Sequence, residues 1–142
     1  MRRELNRNPT LPFWLRVPAI LVYVTAGVIF IQLFFGGAYL ISVAGYPSVA
    51  GMDSIHPIFG LAVGVLALAA MIGCLLAKPR DRSLRYAATA TFVLVLLVGL
   101  TADKSLMLPH DTFATIAFGL SIASAFIAFK WSAISPPVVQ TN

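Results

Sequence analysis

The sequence predicts an all-α fold: an integral membrane four-helix up-down bundle with both termini cytoplasmic. Three observations predict it. Of 142 residues, 59% are hydrophobic and only 11% charged, the balance of a chain solvated by lipid. Four apolar runs follow one another with short connections, each near the roughly 20 helical residues that cross a hydrocarbon core of about 30 Å. The cationic residues also gather in the segments that an even number of spans would place on one face.

The first span is expected from about Val17 to Val43, the second from about Ser54 to Ala77, the third from about Leu84 to Thr101, and the fourth from about Pro109 to Trp131. Backbone N–H and C=O groups cannot be left unpaired in lipid, so each span must be helical; strands would need a closed barrel and alternating polarity, which these runs lack. Residues 1–12, with three arginines, two asparagines, Pro9 and Pro12, read as a short cytoplasmic leader, and residues 132–142, with Pro136 and Pro137, as a tail. Gly45, Pro47 and Gly51 make the connector between the first two spans rich in turns. One transmembrane domain, 1–142, accounts for the whole chain, with no soluble catalytic domain.

Arg2, Arg3, Arg7 and Arg16 precede the first span, Lys78, Arg80, Arg82 and Arg85 lie around the link between the second and third, and Lys130 ends the fourth. Lys104 alone falls on the other face, with Asp53, Asp103 and Asp111. The positive-inside rule makes the basic face of this multi-pass chain cytoplasmic. A charge distribution of this kind speaks for lipid headgroups and against nucleic acid. The basic leader and the Ser42-Val43-Ala44 sequence resemble a secretory signal, but its apolar core would hold about 7 to 15 residues and this run is longer. Cys74 has no second cysteine to pair with and reads as a small packing residue.

The chain contains two histidines, in MDSIHPIFG at 52–60 and LPHDTFA at 108–114. Each is followed three residues later by a phenylalanine, Phe59 or Phe113, and four later by a small residue, Gly60 or Ala114. Both are expected in the first turn of spans that run in the same direction, so the imidazoles should lie at one depth near the outer face. Spans two and four of an up-down bundle sit across a diagonal; neighbours at about 8–10 Å put those axes roughly 13 Å apart. Two histidines reaching inward across that gap suit a metal, and haem b with two axial imidazoles is the common case. On this expectation His56 and His110 are the metal ligands. Gly60, Gly64 and Ala114 clear room for the macrocycle, Phe59 and Phe113 pack on it, and Lys104 pairs with a propionate.

Each feature has an ordinary explanation too. Interfacial histidines are often structural, proline in a first helical turn loses no hydrogen bond, and glycine and alanine serve close packing of membrane helices. Lys104 can equally pair with Asp103 or Asp53. A closed zinc site needs four ligands, and only the two histidines and a nearby Asp53 or Asp111 are on hand. The spans hold no carboxylate between their ends, which disfavours an ion-coupled transporter. Gln32, in the middle of the first span and followed by Gly36 and Gly37, must face protein or ligand, most simply as an interhelical hydrogen bond.

With His56 and His110 so placed, the pattern resembles one four-helix half of bacterial haem A synthase, whose second and fourth helices carry haem-ligating histidines near the outer face. It is also similar to small bacterial four-helix membrane proteins with Gln-x-x-x-Gly in helix one, here Gln32 to Gly36, and His-Pro opening helix two. The resemblance implies haem ligation. It does not extend to oxidase chemistry, since haem A synthase has a duplicated bundle and a carboxylate near its catalytic-half histidines, whereas this chain has one bundle and no buried glutamate. The expected function is therefore electron transfer by a b-type haem protein, an electron carrier or subunit and not an enzyme on its own. Its partners would be the lipid bilayer, other membrane subunits and a quinol. The alternative is a non-catalytic accessory subunit of a larger membrane complex.

Overall fold

A computed structural model describes residues 13–43, 52–77, 82–102 and 106–134. It is built of four helices, α1 (Phe13–Val43), α2 (Met52–Ala77), α3 (Arg82–Leu100) and α4 (Met107–Ile134). Each contains a stretch long and apolar enough to cross a membrane. The expected leader, Lys104 and the last eight residues lie outside the described residues.

The helices begin before the apolar runs do. Lipid dictates where backbone must be paired, but helical hydrogen bonding propagates past the edge of the hydrocarbon wherever the next residues permit it. Arg16 therefore lies inside α1, not ahead of it, and Pro18 is enclosed with it. The early start of α2 corrects the expectation that both histidines occupy first turns. His56 is the fifth residue of α2 and lies beyond its first turn, and Pro57 removes one intrahelical bond. In α4 the expectation holds: Pro109 is the third residue, where its missing N–H is no loss, and His110 the fourth.

Helix α1 packs against α2 and α4, and α3 against the same two, so α1 faces α3 and α2 faces α4 across the diagonals. Consecutive helices are antiparallel. Gln32, late in α1, bonds to His56, early in α2, while Pro18 and Leu21 lie against Gly73 near the far end of the pair. The four-residue link from α2 to α3 spans at most about 14 Å, too little to return along a helix of this length.

The inward positions follow a register that alternates steps of four and three, the 3.5-residue period of left-handed bundle packing. In α2 it runs His56, Gly60, Val63, Ala67, Ala70, Cys74, and in α4 His110, Ala114, Ala117, Ser121, Ser124, Ala128. The same steps give Pro18, Val22, Thr25, Ile29, Gln32 and Gly36 in α1, and Leu84, Ala88, Thr91, Val95 and Val98 in α3. Seam residues in the middle and at the Cys74 end are buried, with Cys74, Leu84 and Ala128 fully enclosed. Most of these buried residues are small, Ala, Ser, Thr or Cys. Lipid offers no hydrophobic drive for helices to associate, so close approach of backbones supplies dispersion contact instead, and small side chains permit it. Large apolar residues point outward, Phe34 at 71% and Leu108 at 79% exposed. That arrangement suits a lipid surround.

Buried hydroxyls along the seam are satisfied within their own helices. Thr25 donates to the Leu21 carbonyl, Thr91 to Ala87, Ser121 to Phe118 and Ser124 to Leu120. They surround a cavity of about 10 Å³ bounded also by Val22, Ala67, Ala70 and Ala88, whose wall is almost wholly apolar. Thr91 and Ser124 approach each other there at 3.5 Å, a contact between α3 and α4.

Candidate functional site

The register that buries alanine and serine in mid-bundle carries the histidines inward at one end. His56 and His110 are the terminal members of the α2 and α4 seams, so the geometry that packs the core also turns them toward each other. Their ring centroids are 6.4 Å apart with the planes at 66°. Both side chains are half-buried.

Each ring is held by a group from a third or fourth helix. His110 Nδ1 lies 2.9 Å from the main-chain carbonyl of Val98 in α3. A carbonyl can only accept, so Nδ1 carries the proton and, in the neutral ring, Nε2 presents its lone pair. A histidine with Nδ1–H on a backbone carbonyl is fixed in the form that binds a metal through Nε2. His56 is held by Gln32 of α1, whose amide nitrogen is 3.0 Å from Nδ1, 3.5 Å from Nε2 and 3.0 Å from the His56 carbonyl oxygen. A nitrogen belongs in that position, because an amide oxygen there would oppose the carbonyl. Gln32 Oε1, in turn, is buried with no hydrogen-bond partner. An unmet buried acceptor costs about 1–3 kcal/mol.

All four helices thus contribute at one level: Gln32, His56, Val98 and His110. Space for the first two is made by glycine. A Cβ on Gly36 would sit 3.3 Å from His56 Cε1, and one on Gly60 3.4 Å from the Gln32 amide nitrogen. Gly60 therefore serves the Gln32 contact in the described structure. Gly64, the next small residue expected to make room for a ligand, has open space before it. Phe59 packs on Phe35 of α1 with ring centroids 5.0 Å apart, Phe113 and Ala114 are half-buried, and Asp111 is exposed. Lys104 and the side chain of Asp53 lie outside the description.

The donor set discriminates among metals. No group of three or more His, Cys, Asp or Glu side chains that could hold an ion occurs among the described residues. Zinc held by protein alone needs more ligands than this pair. Haem iron brings four macrocycle nitrogens and asks the protein for axial ligands alone. With metal–nitrogen distances of about 2.0–2.1 Å, and roughly 1.1 Å from nitrogen to ring centre, two imidazoles sharing one ion have centroids about 6.3 Å apart. The observed 6.4 Å agrees with that separation. The spacing is that of two imidazoles on one ion, whereas the amide nitrogen at Nδ1 leaves the proton of a neutral His56 on Nε2.

Sequence reasoning found the histidines and Gln32 but not their partnership, nor the roles of Gly36 and Val98. The seam register could have revealed Gly36, which stands one step beyond Gln32. Val98 acts through its main chain and has no side-chain signature. Comparison of the chain with protein-family models, curated proteins and solved structures gave no match.

Proposed function

We propose that the chain is a b-type haem-binding protein of the bacterial cytoplasmic membrane, an electron-transfer subunit with His56 and His110 as axial ligands. The observation that carries the proposal is the 6.4 Å approach of the two rings across the α2–α4 diagonal. Bound haem b would supply a one-electron change at iron. The chain's own residues hold and orient. Val98 and Gln32 fix the two imidazoles, and Gly36 keeps the His56 ring free of collision. On this reading Gly64 and Ala114 leave room for the macrocycle edge, Phe59 and Phe113 shield it, and Lys104 meets a propionate. On the same reading the basic residues at the opposite end would keep both termini in the cytoplasm and the histidines near the outer face, where a quinol or a partner redox subunit would exchange electrons.

An absorption spectrum of the detergent-solubilised protein, oxidised and reduced, is the direct test. The wild type should show a low-spin Soret band, and His56→Ala or His110→Ala should each convert it to a five-coordinate or haem-free form. Spectra unchanged by either substitution would refute the ligand assignment.

The exposed Phe30, Phe34, Phe126 and Phe129 favour a second reading, an accessory subunit seated against a larger membrane complex. Co-purification at fixed stoichiometry with a colourless isolated subunit would support it over the first. The two are compatible where the subunit is both coloured and complexed.

A further inference from the structure

The two histidines are held in unlike forms. The Val98 carbonyl can only accept, so His110 carries its proton on Nδ1 and offers the Nε2 lone pair to a metal. The Gln32 amide nitrogen can only donate, and it lies 3.0 Å from Nδ1 of His56. The same nitrogen donates to the His56 carbonyl oxygen, also at 3.0 Å, so turning the amide over would set oxygen against oxygen. Gly60, where a Cβ would stand 3.4 Å from that nitrogen, lets α2 close on it. A neutral His56 so held has its Nδ1 lone pair taken by the amide and its proton on Nε2. As held, neither of its nitrogens offers a lone pair to iron. For His56 to ligate through Nε2, the proton must move to Nδ1, and Nδ1–H then meets the N–H of Gln32, donor against donor.

We infer that Gln32 is a positioning residue that works against ligation by His56, which makes His110 the permanent haem ligand and His56 an exchangeable one. The inference rests on the haem reading of the site and ranks its two axial bonds. Both bonds form in the loaded protein, but the one to His56 forms only as the ring gives up the Gln32 amide. An outer-shell group ordinarily strengthens the ligand it touches. Here the group is a donor where an acceptor is needed, so its effect has the opposite sign.

The test uses the full chain in detergent, first without haem and then loaded with haem b. In the haem-free protein, proton–nitrogen correlation spectra of isotope-labelled histidine, taken where both rings are neutral, should show His56 protonated on Nε2 and His110 on Nδ1. His56 protonated on Nδ1 would overturn the inference. In the loaded protein, Gln32→Met and Gln32→Leu should each hold haem about tenfold more tightly than wild type, read by transfer to a haem-scavenging protein. Damage to packing would weaken retention, so the sign of the change separates the two effects. Unchanged or weaker retention in these variants would overturn the role of Gln32 and leave ligation by both histidines standing. The ranking has its own readout: His56→Ala should keep five-coordinate haem, and His110→Ala should hold it at least about tenfold more weakly. Equal retention by these two variants would remove the ranking. A wild type that takes up no haem overturns the site reading and the ranking with it, while the spectra of the haem-free rings still decide their proton positions. Should Gln32→Leu fail to fold, Gln32→Met decides alone.

Discussion

A single methyl group on Gly36 would stand 3.3 Å from Cε1 and 3.7 Å from Nδ1 of His56. One position further on, a Cβ at Gly37 would meet nothing within 4 Å. These neighbours make a matched pair of probes. Gly36→Ala should tilt the His56 ring, reduce haem affinity by about tenfold and lower stability by about 1–3 kcal/mol, as overpacking does. Gly37→Ala should leave the Soret band and melting temperature of the loaded protein unchanged. Equal spectra and melting temperatures for the two variants would show that the contact at Gly36 is unimportant. At this scale the sequence was partly legible. Two histidines and one mid-span glutamine stand out in an apolar chain because each needs a polar partner. Which partner each takes was not legible: the Gln32 contact depends on helix rotation, and the Val98 contact on a carbonyl that every residue possesses.

The seam sets the positions of whole helices. Ala67, 1% exposed, lies opposite the hydroxyls of Thr25, Thr91 and Ser121 around a cavity of about 10 Å³, too small to accept an isobutyl group. Ala67→Leu should therefore destabilise the bundle by about 1–3 kcal/mol in equilibrium unfolding with a denaturing detergent. Leu61→Ala, on the lipid side at 73% exposure, should change it by no more than about 0.5 kcal/mol. A reversed order of these effects would mean that the inward face is misassigned. Helix number and approximate extent were legible because hydrocarbon thickness constrains span length. Helix starts were not: Phe13, Met52, Arg82 and Met107 each precede the expected starts, Val17, Ser54, Leu84 and Pro109, across residues of mixed polarity where helical hydrogen bonding continues. Nor did polarity distinguish the inward face, since these helices are apolar all round. Residue size did, and alternating four-and-three steps of Ala, Ser, Thr and Gly are harder to see than alternating charge.

Across the whole molecule, each seam residue of α2 has a counterpart in α4 at a constant sequence offset: His56 with His110, Ala67 with Ser121, Ala70 with Ser124 and Cys74 with Ala128. The same holds between α1 and α3, where Thr25 matches Thr91 and Gln32 matches Val98. The two helix hairpins thus share one seam register. The likeness of HPIFG and HDTFA lies within that register, most of whose other pairs differ in residue type and so leave no repeat to read in the sequence. The charge distribution predicts an orientation. An alkaline phosphatase fusion within residues 44–51 should be active and one within 78–81 inactive, as the basic end predicts; the reverse pattern would invert the assigned topology.

Helix α3 has 19 residues and a length of about 28 Å, slightly less than the hydrocarbon thickness of an average bilayer. Its neighbours have turns to spare and can lean, whereas α3 has no slack to tilt with. A thicker, long-chain membrane would have to pinch inward around it, at a penalty that grows with every ångström of mismatch. In a bilayer the shortest helix would therefore act as the gauge for the others, favouring thin membranes and setting how far beneath the headgroups the two imidazoles would lie.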